Sequence, residues 1–229
     1  MTNTEFLPPL HSIGPLRVSR DRVDRHPAYG PLLHQAQATG SCPVWITALD
    51  RIRPPDDPAA AVAGIPHVDP QEFLASHWSR NCPLCGCRDP FGAFPGLAPR
   101  SRSSADPLGS AASADALQTG HLALVPADRP ADVITALGWT GPCNYGTDLA
   151  ALSAVLRTWE ERFGAVLVRV EEATLWLSVA APPRTARHAQ RIAAEHFSFC
   201  RDVDWEDPRP LRAYAAGLVG QSTWRFWWD

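Results

Sequence analysis

Three cysteines at close spacing are the sharpest chemical signal in the sequence. Cys82, Cys85 and Cys87 lie in the run NCPLCGC, which contains the C-P-x-C-G pattern used in zinc knuckles. Two thiolates three residues apart can bind one ion, and the glycine lets backbone N–H groups turn toward the sulfurs. Tetrahedral closure needs a fourth ligand, and His77, on the preceding predicted helix, is the nearest candidate. These residues predict one structural zinc.

Two alternatives to zinc stay open, because the sequence lacks the second knuckle that usually completes such a site. The cysteines can instead be reduced thiols in a turn, or a redox-sensitive pair. The fourth zinc ligand also has alternatives elsewhere in the chain, namely His67, Cys42 and Cys143.

A second candidate for chemistry is the pair His196 and Cys200, which lie four residues apart and share one face of a predicted helix. A thiol beside an imidazole can act as nucleophile and base, with Asp202 or Asp204 orienting the histidine. The same face is the apolar stripe of the helix, where Cys and His usually pack. No oxyanion-hole or nucleophile-elbow signature accompanies the pair, so packing is the favoured interpretation and catalysis is the alternative.

An acidic segment follows this helix, with Trp205 set among Asp202, Asp204 and Glu206. The segment lacks the glycine and the spacing of a calcium-binding loop. A tryptophan among acids in a loop is a candidate for an exposed contact with another protein. We therefore predict a protein-interaction surface at these four residues.

A further loop precedes the central helix and contains Asn144 and Tyr145, bounded by Gly and Pro. These two side chains could line a pocket. Asn in such a loop more often makes a turn or caps a helix, so a local structural role is the alternative.

Charge and hydropathy exclude several classes of partner. The 229 residues carry a formal net charge of −3, so no overall basic field attracts nucleic acid or an anionic membrane. The N-terminus lacks a basic region followed by an apolar run, and no segment reaches the ~20 apolar residues that span a bilayer. We expect a cytoplasmic protein, whose cysteines are reduced or bind metal. All 21 cationic residues are arginines, which codon bias explains, although arginine also suits bidentate contacts with carboxylates.

Residues 148–200 contain the clearest periodic patterns, in the order helix, strand, strand, helix. The first helix repeats apolar residues every three or four positions, with Asp148 as its N-cap and Gly164 as its stop. The segments AVLVRVEE and TLWLSVA alternate and predict a hairpin. The second helix covers residues 185–200.

The rest of the chain supplies further elements around this unit. Residues 42–49 and 121–127 predict strands, and residues 69–78 predict a helix that begins with Asp-Pro. The terminal STWRFWWD alternates, and its aromatic area leads us to expect a strand inside the sheet, next to the hairpin or to residues 121–127, and not at an edge. The predicted fold is α+β, a mainly antiparallel sheet with helices packed on it.

Two polar stretches predict irregular structure. DRIRPPDDPAAAVAGIPHVDP has the composition of a loop, and the Ser/Ala-rich run near residues 100–118 that of a flexible linker or exposed loop. We favour a single domain over residues 1–229. The alternative is an N-terminal subdomain over residues 1–100, followed by a second domain over residues 120–229.

Five segments of the C-terminal half carry a family resemblance: VPADRPADVITALGW, LSAVLRTWEERFGA, LWLSVAAPP, AAEHFSFC and WRFWWD. They resemble a bacterial family, common in actinobacteria, that carries domain of unknown function 4253, and PFGAFPGLAP extends the likeness into the N-terminal half. The resemblance implies no activity and no catalytic residues. Family members often have an acidic segment where this chain has NCPLCGC, so the cysteine cluster is a departure from the family.

The absence of a recognised catalytic, phosphate-binding or metalloprotease motif from the sequence favours a cytosolic protein-interaction module. One form of this would be an immunity-like role against a toxin, and a structural zinc is compatible with it. The alternative is an enzyme that uses His196 and Cys200.

Overall fold

The computed structural model of the chain describes residues 7–78, 90–103, 105–142, 148–200 and 211–228. Within these ranges, eight strands form one sheet. They are β1 (Leu10–Ile13), β2 (Leu16–Ser19), β3 (Val23–Asp24), β4 (Ser41–Ile46), β5 (Thr119–Pro126), β6 (Ala165–Val170), β7 (Thr174–Val179) and β8 (Thr223–Trp227).

The sheet is open and mainly antiparallel. Its strand order is β1-β2-β5-β4-β6-β7-β8, and β3 pairs with the start of β5. Neighbouring strands are antiparallel, except that β4 and β6 are parallel. The predicted α+β fold and the predicted hairpin of β6 and β7 are therefore confirmed.

The centre of the sheet combines strands from both halves of the chain. β4 pairs with β5 from Ser41↔Pro126 to Ile46↔His121, and with β6 through Trp45↔Arg169. All of β4 except Ser41 is buried. Whether the chain is one domain or two stays a prediction.

Helices cover the sheet in the described ranges. They are α1 (Tyr29–Thr39), α2 (Pro58–Ala63), α3 (Pro70–Trp78), α4 (Pro107–Ala112), α5 (Val133–Leu137), α6 (Leu149–Phe163), α7 (Ala186–Phe199) and α8 (Leu211–Leu218). The long helices α6 and α7 pack over β8, because the Trp159 ring of α6 stacks on Phe226, with 5.2 Å between ring centroids. The Phe199 ring of α7 lies 5.0 Å from the same Phe226 ring.

The helix boundaries follow the capping residues that the sequence indicated. The Asp148 carboxylate accepts a hydrogen bond from the Ala150 N–H at 2.8 Å, and α6 ends at Gly164 in the left-handed conformation. Asp69 accepts from the N–H groups of Gln71 and Glu72 at the start of α3. These two helix starts are confirmed.

The position of β8 corrects one expectation. β8 pairs with β7, next to the hairpin as expected, but it is the last strand on that side of the sheet within the described residues. The expectation that aromatic area would keep it from an edge is wrong. Trp224, Phe226 and Trp228 are nevertheless buried, because α6 and α7 cover the face on which they lie.

The two stretches predicted to be irregular contain helices. In the first, α2 begins at Pro58, with the Asp57 carboxylate accepting from the Ala60 N–H at 3.0 Å. In the second, the Ser/Ala-rich run, Asp106 caps α4, and Ala111 of that helix is fully buried. A linker or exposed loop is therefore wrong for residues 107–112, which pack against the sheet and α1.

Candidate functional site

The structure places His196 inside the core. Its side chain is 0% exposed, and its Nδ1 lies 2.9 Å from the hydroxyl of Tyr214 on α8. Its ring makes edge contacts with Trp159 and Trp224, at centroid distances of 5.1 and 4.5 Å. Burial, with the nearby Arg162 charge as a smaller cause, lowers the pKa of His196 to about 3. The imidazole is therefore neutral at physiological pH.

Cys200 is equally enclosed. It is 0% exposed, and its Sγ lies 2.9 Å from the Trp227 carbonyl oxygen, to which the thiol donates. Neither Cys200 nor His196 lines the described clefts. Their burial favours a packing role over a nucleophile–base pair. Both proposed orienting residues, Asp202 and Asp204, lie outside the described residues.

Beside His196 lies a buried carboxylate that sequence reasoning missed. Glu195 is 0% exposed and accepts hydrogen bonds from both terminal nitrogens of Arg162, at 2.8 and 2.7 Å. It also accepts from the Trp159 indole N–H at 2.7 Å and the Ala98 backbone N–H at 2.6 Å. Glu195 therefore holds the segment around Ala98 against α6 and α7. Its partners are too distant in sequence to form a motif.

The predicted zinc ligands are only partly described. Cys82, Cys85 and Cys87 lie outside the described residues, so the zinc site stays a prediction. His77 lies at the end of α3, and its Nδ1 is 2.9 Å from the Phe73 carbonyl oxygen. Because a carbonyl only accepts, a hydrogen bond here requires the hydrogen on Nδ1.

The alternative fourth ligands differ in accessibility. Cys42 is fully buried in β4, where burial raises the pKa of its thiol well above the usual value. His67 is exposed, in a short 3-10 turn before α3, and Cys143 lies outside the described residues. Among the residues that the structure describes, no group of three His, Cys, Asp or Glu side chains is placed to hold a metal ion.

The predicted contact residues Asp202, Asp204, Trp205 and Glu206 also lie outside the described residues, as do Asn144 and Tyr145. The two helices that flank the acidic segment are described. α7 and α8 pack against each other, and Cys200 and Leu211 at the two ends of the segment are both 0% exposed. The acidic segment is therefore attached at both ends to the core.

A cleft between α1 and the C-terminal end of α6 is a second feature that the sequence did not reveal. Its volume is about 410 Å³, and Leu33 and Val166 line its apolar part. The Glu160 carboxylate on its wall accepts from Arg129 Nε and from the Ala131 N–H, both at 2.7 Å. Burial raises the pKa of Glu160 to about 7, although Arg129 opposes this. The side chain of Glu160 is 12% exposed.

This cleft has a volume in the range of small-ligand sites, and a carboxyl group with a perturbed pKa is common at such sites. However, the Glu160 carboxylate is already occupied by Arg129 and a backbone N–H. These two contacts, which oppose the effect of burial on the pKa, explain its presence as a structural ion pair that fixes the turn at Pro130–Asp132 against α6.

A comparison with known families gives a match in the C-terminal part of the chain. Residues 121–229 match the family model described as domain of unknown function (DUF4253). The match runs through β5 to β8, and confirms the family resemblance over slightly less than half of the chain. A bacterial origin stays a prediction. No curated protein and no solved structure gives a significant match. In the described residues, no helix is both long and apolar enough to cross a membrane.

Proposed function

We propose that the protein is a cytosolic protein-interaction module, whose contact surface includes the acidic segment with Trp205. The attachment of this segment supports the proposal. Its preceding helix is fixed by the contacts of His196 and Cys200, and its following helix by Leu211 and Tyr214. Fixed ends lower the entropy that a recognition loop loses on binding. An immunity-like role against a toxin is one form of this function.

The test begins with capture of a partner from the cytosol of the native host by the full-length protein. The complex is then rebuilt from the purified partner and titrated by calorimetry with two variants. Trp205→Ala should weaken binding roughly thirtyfold, the effect of a buried aromatic hot spot of about 2 kcal/mol. Val219→Ala is the control, because Val219 is also apolar and is 41% exposed. Equal binding by wild type and Trp205→Ala, or no stoichiometric partner, would contradict the proposal.

We also propose that one structural zinc is bound by Cys82, Cys85, Cys87 and His77. The orientation of His77 supports this assignment. Metal-binding histidines usually donate their second ring N–H to an oxygen, which fixes the tautomer that binds the metal. The Nδ1 contact of His77 with the Phe73 carbonyl is of this kind.

Elemental analysis of protein purified under reducing conditions tests the zinc. We expect close to one zinc per chain in the wild type, and loss of zinc in Cys82→Ser, Cys85→Ser and His77→Asn. His34→Asn, at an exposed histidine of α1, should keep the metal. Metal-free wild-type protein, or unchanged zinc in both cysteine variants, would leave these residues as thiols or redox partners.

The enzyme alternative has less support. It requires His196 and Cys200 to reach a substrate, and both are 0% exposed.

A further inference from the structure

Four exposed arginines lie where the segment after Ala98 crosses the start of α7. We name Arg100, Arg102, Arg184 and Arg187 the arginine patch. The chain has a net charge of −3, and these four cationic positions lie on two segments that contact each other.

Hydrogen bonds from side chains to backbone carbonyls bring the two parts of the patch together. The His188 Nε2 lies 2.8 Å from the Pro99 carbonyl oxygen, so the residues next to them, Arg100 and Arg187, belong to adjoining segments. The Ser103 hydroxyl donates to the Ala180 carbonyl at 3.4 Å, which continues the contact toward Arg184. The same segment is also bound to α6, because the Ser101 N–H donates to the Arg162 carbonyl oxygen at 3.0 Å.

The local sequence provides no acid to neutralise the patch. No acidic residue occurs between Asp89 and Asp106, or between Glu172 and Glu195. Among the described residues, the four patch arginines form no ion pair, whereas Arg129 and other arginines of the core do. The four exposed guanidinium groups are therefore available for hydrogen bonds with an anionic partner.

We propose that the arginine patch binds an acidic segment of the partner protein. This inference rests on the proposed function as an interaction module, and adds the chemistry of the partner. Guanidinium groups form paired hydrogen bonds with carboxylates, so four of them can fix the position of an acidic segment as well as attract it.

A protein partner fits the patch better than nucleic acid does. A protein that binds a nucleic acid backbone tightly commonly neutralises several phosphates, about six to ten. The patch offers four cations on a protein of net negative charge. A short acidic peptide matches that number of charges.

Fluorescence anisotropy tests the patch with defined probes, a labelled peptide of ten glutamates and a labelled decamer of deoxythymidine, at low salt. The peptide should bind wild type, and Arg100→Glu/Arg187→Glu should weaken its binding by roughly tenfold or more. Arg17→Glu/Arg20→Glu is the matched control, because both residues are exposed and the change in net charge is the same. This control should stay within about twofold of wild type, and added salt should weaken the wild-type complex.

Three results would overturn the proposal. They are no peptide binding by wild type, equal loss in the control variant, and tighter patch-dependent binding of the deoxythymidine decamer than of the peptide. Trp205→Ala, tested in the same titration, should bind the peptide like wild type. A negative peptide titration therefore counts against the arginine patch alone. The proposed interaction function is tested separately, by Trp205→Ala and the captured partner.

Discussion

Replacing Glu195 by glutamine is a sharp test of how the core is held together. The substitution keeps the shape of the side chain and removes its charge, so Arg162, whose side chain is 13% exposed, loses its counter-ion. Each Glu195 oxygen now accepts two hydrogen bonds, and the amide NH₂ of glutamine would face two donors, for example Trp159 Nε1 and one Arg162 nitrogen. Loss of one partner of a buried pair costs about 3–5 kcal/mol, a large part of a typical stability of about 5–15 kcal/mol.

Urea unfolding followed by tryptophan fluorescence measures this cost. Glu161→Gln on α6 is the control, because that carboxylate is 58% exposed and its contacts to Arg129 are 3.3 Å long. We expect the control to change the unfolding free energy by less than about 0.5 kcal/mol. Adding Arg162→Met to Glu195→Gln should recover part of the loss, since the unpaired charge is removed. A Glu195→Gln variant within about 1 kcal/mol of wild type would refute the proposed role of this network.

Two further predictions use pH and one uses backbone geometry. The pKa of His196 is about 3 in the folded protein and 6.5 in the unfolded chain, so below pH 6.5 protons bind the unfolded chain and destabilise the fold. The difference in unfolding free energy between wild type and His196→Phe should therefore shrink by about 2 kcal/mol in favour of the variant from pH 7.5 to pH 5. The pKa of Glu160 is raised to about 7 in the fold, so protonation stabilises the folded protein as the pH falls. The unfolding free energy of wild type, relative to that of Glu160→Gln, should therefore grow by about 2 kcal/mol from pH 7.5 to pH 5. Parallel pH curves for both variants and wild type would contradict these assignments. Gly138→Ala should lower the midpoint of thermal unfolding far more than Gly220→Ala. Both glycines have positive φ, but a Cβ at Gly138 would lie 1.8 Å from the Arg53 carbonyl oxygen, whereas nothing lies within 4 Å of a Cβ at Gly220. Equal losses of stability in the two variants would show that the clash is relieved.

Local signals in the sequence predicted the elements best. Asp148 and Gly164 define α6, and Asp-Pro begins α3, because the aspartate satisfies free N–H groups and proline needs none. The same Asp-Pro signal is present at residues 57–58 and 106–107, where it begins α2 and α4. There the Pro- and Ser-rich composition outweighed the capping signal and led to the wrong prediction.

Long-range contacts were beyond the reach of such signals. The parallel pairing of β4 with β6 joins residues more than one hundred positions apart, and no local pattern specifies it. The Arg162–Glu195 pair spans two helices, and each residue alone resembles a solvent-exposed charge. In contrast, the burial of His196 and Cys200 followed from their position on the apolar stripe of α7, which their full burial bears out.

Hydrogen–deuterium exchange on the purified complex tests whether the protein acts by binding a protein partner through its acidic segment. We expect slower exchange in residues 201–210 when the partner is added, with unchanged exchange in β4 and β5 at the centre of the sheet. Partner-dependent protection found only elsewhere on the protein, with residues 201–210 exchanging as in the free chain, would contradict it.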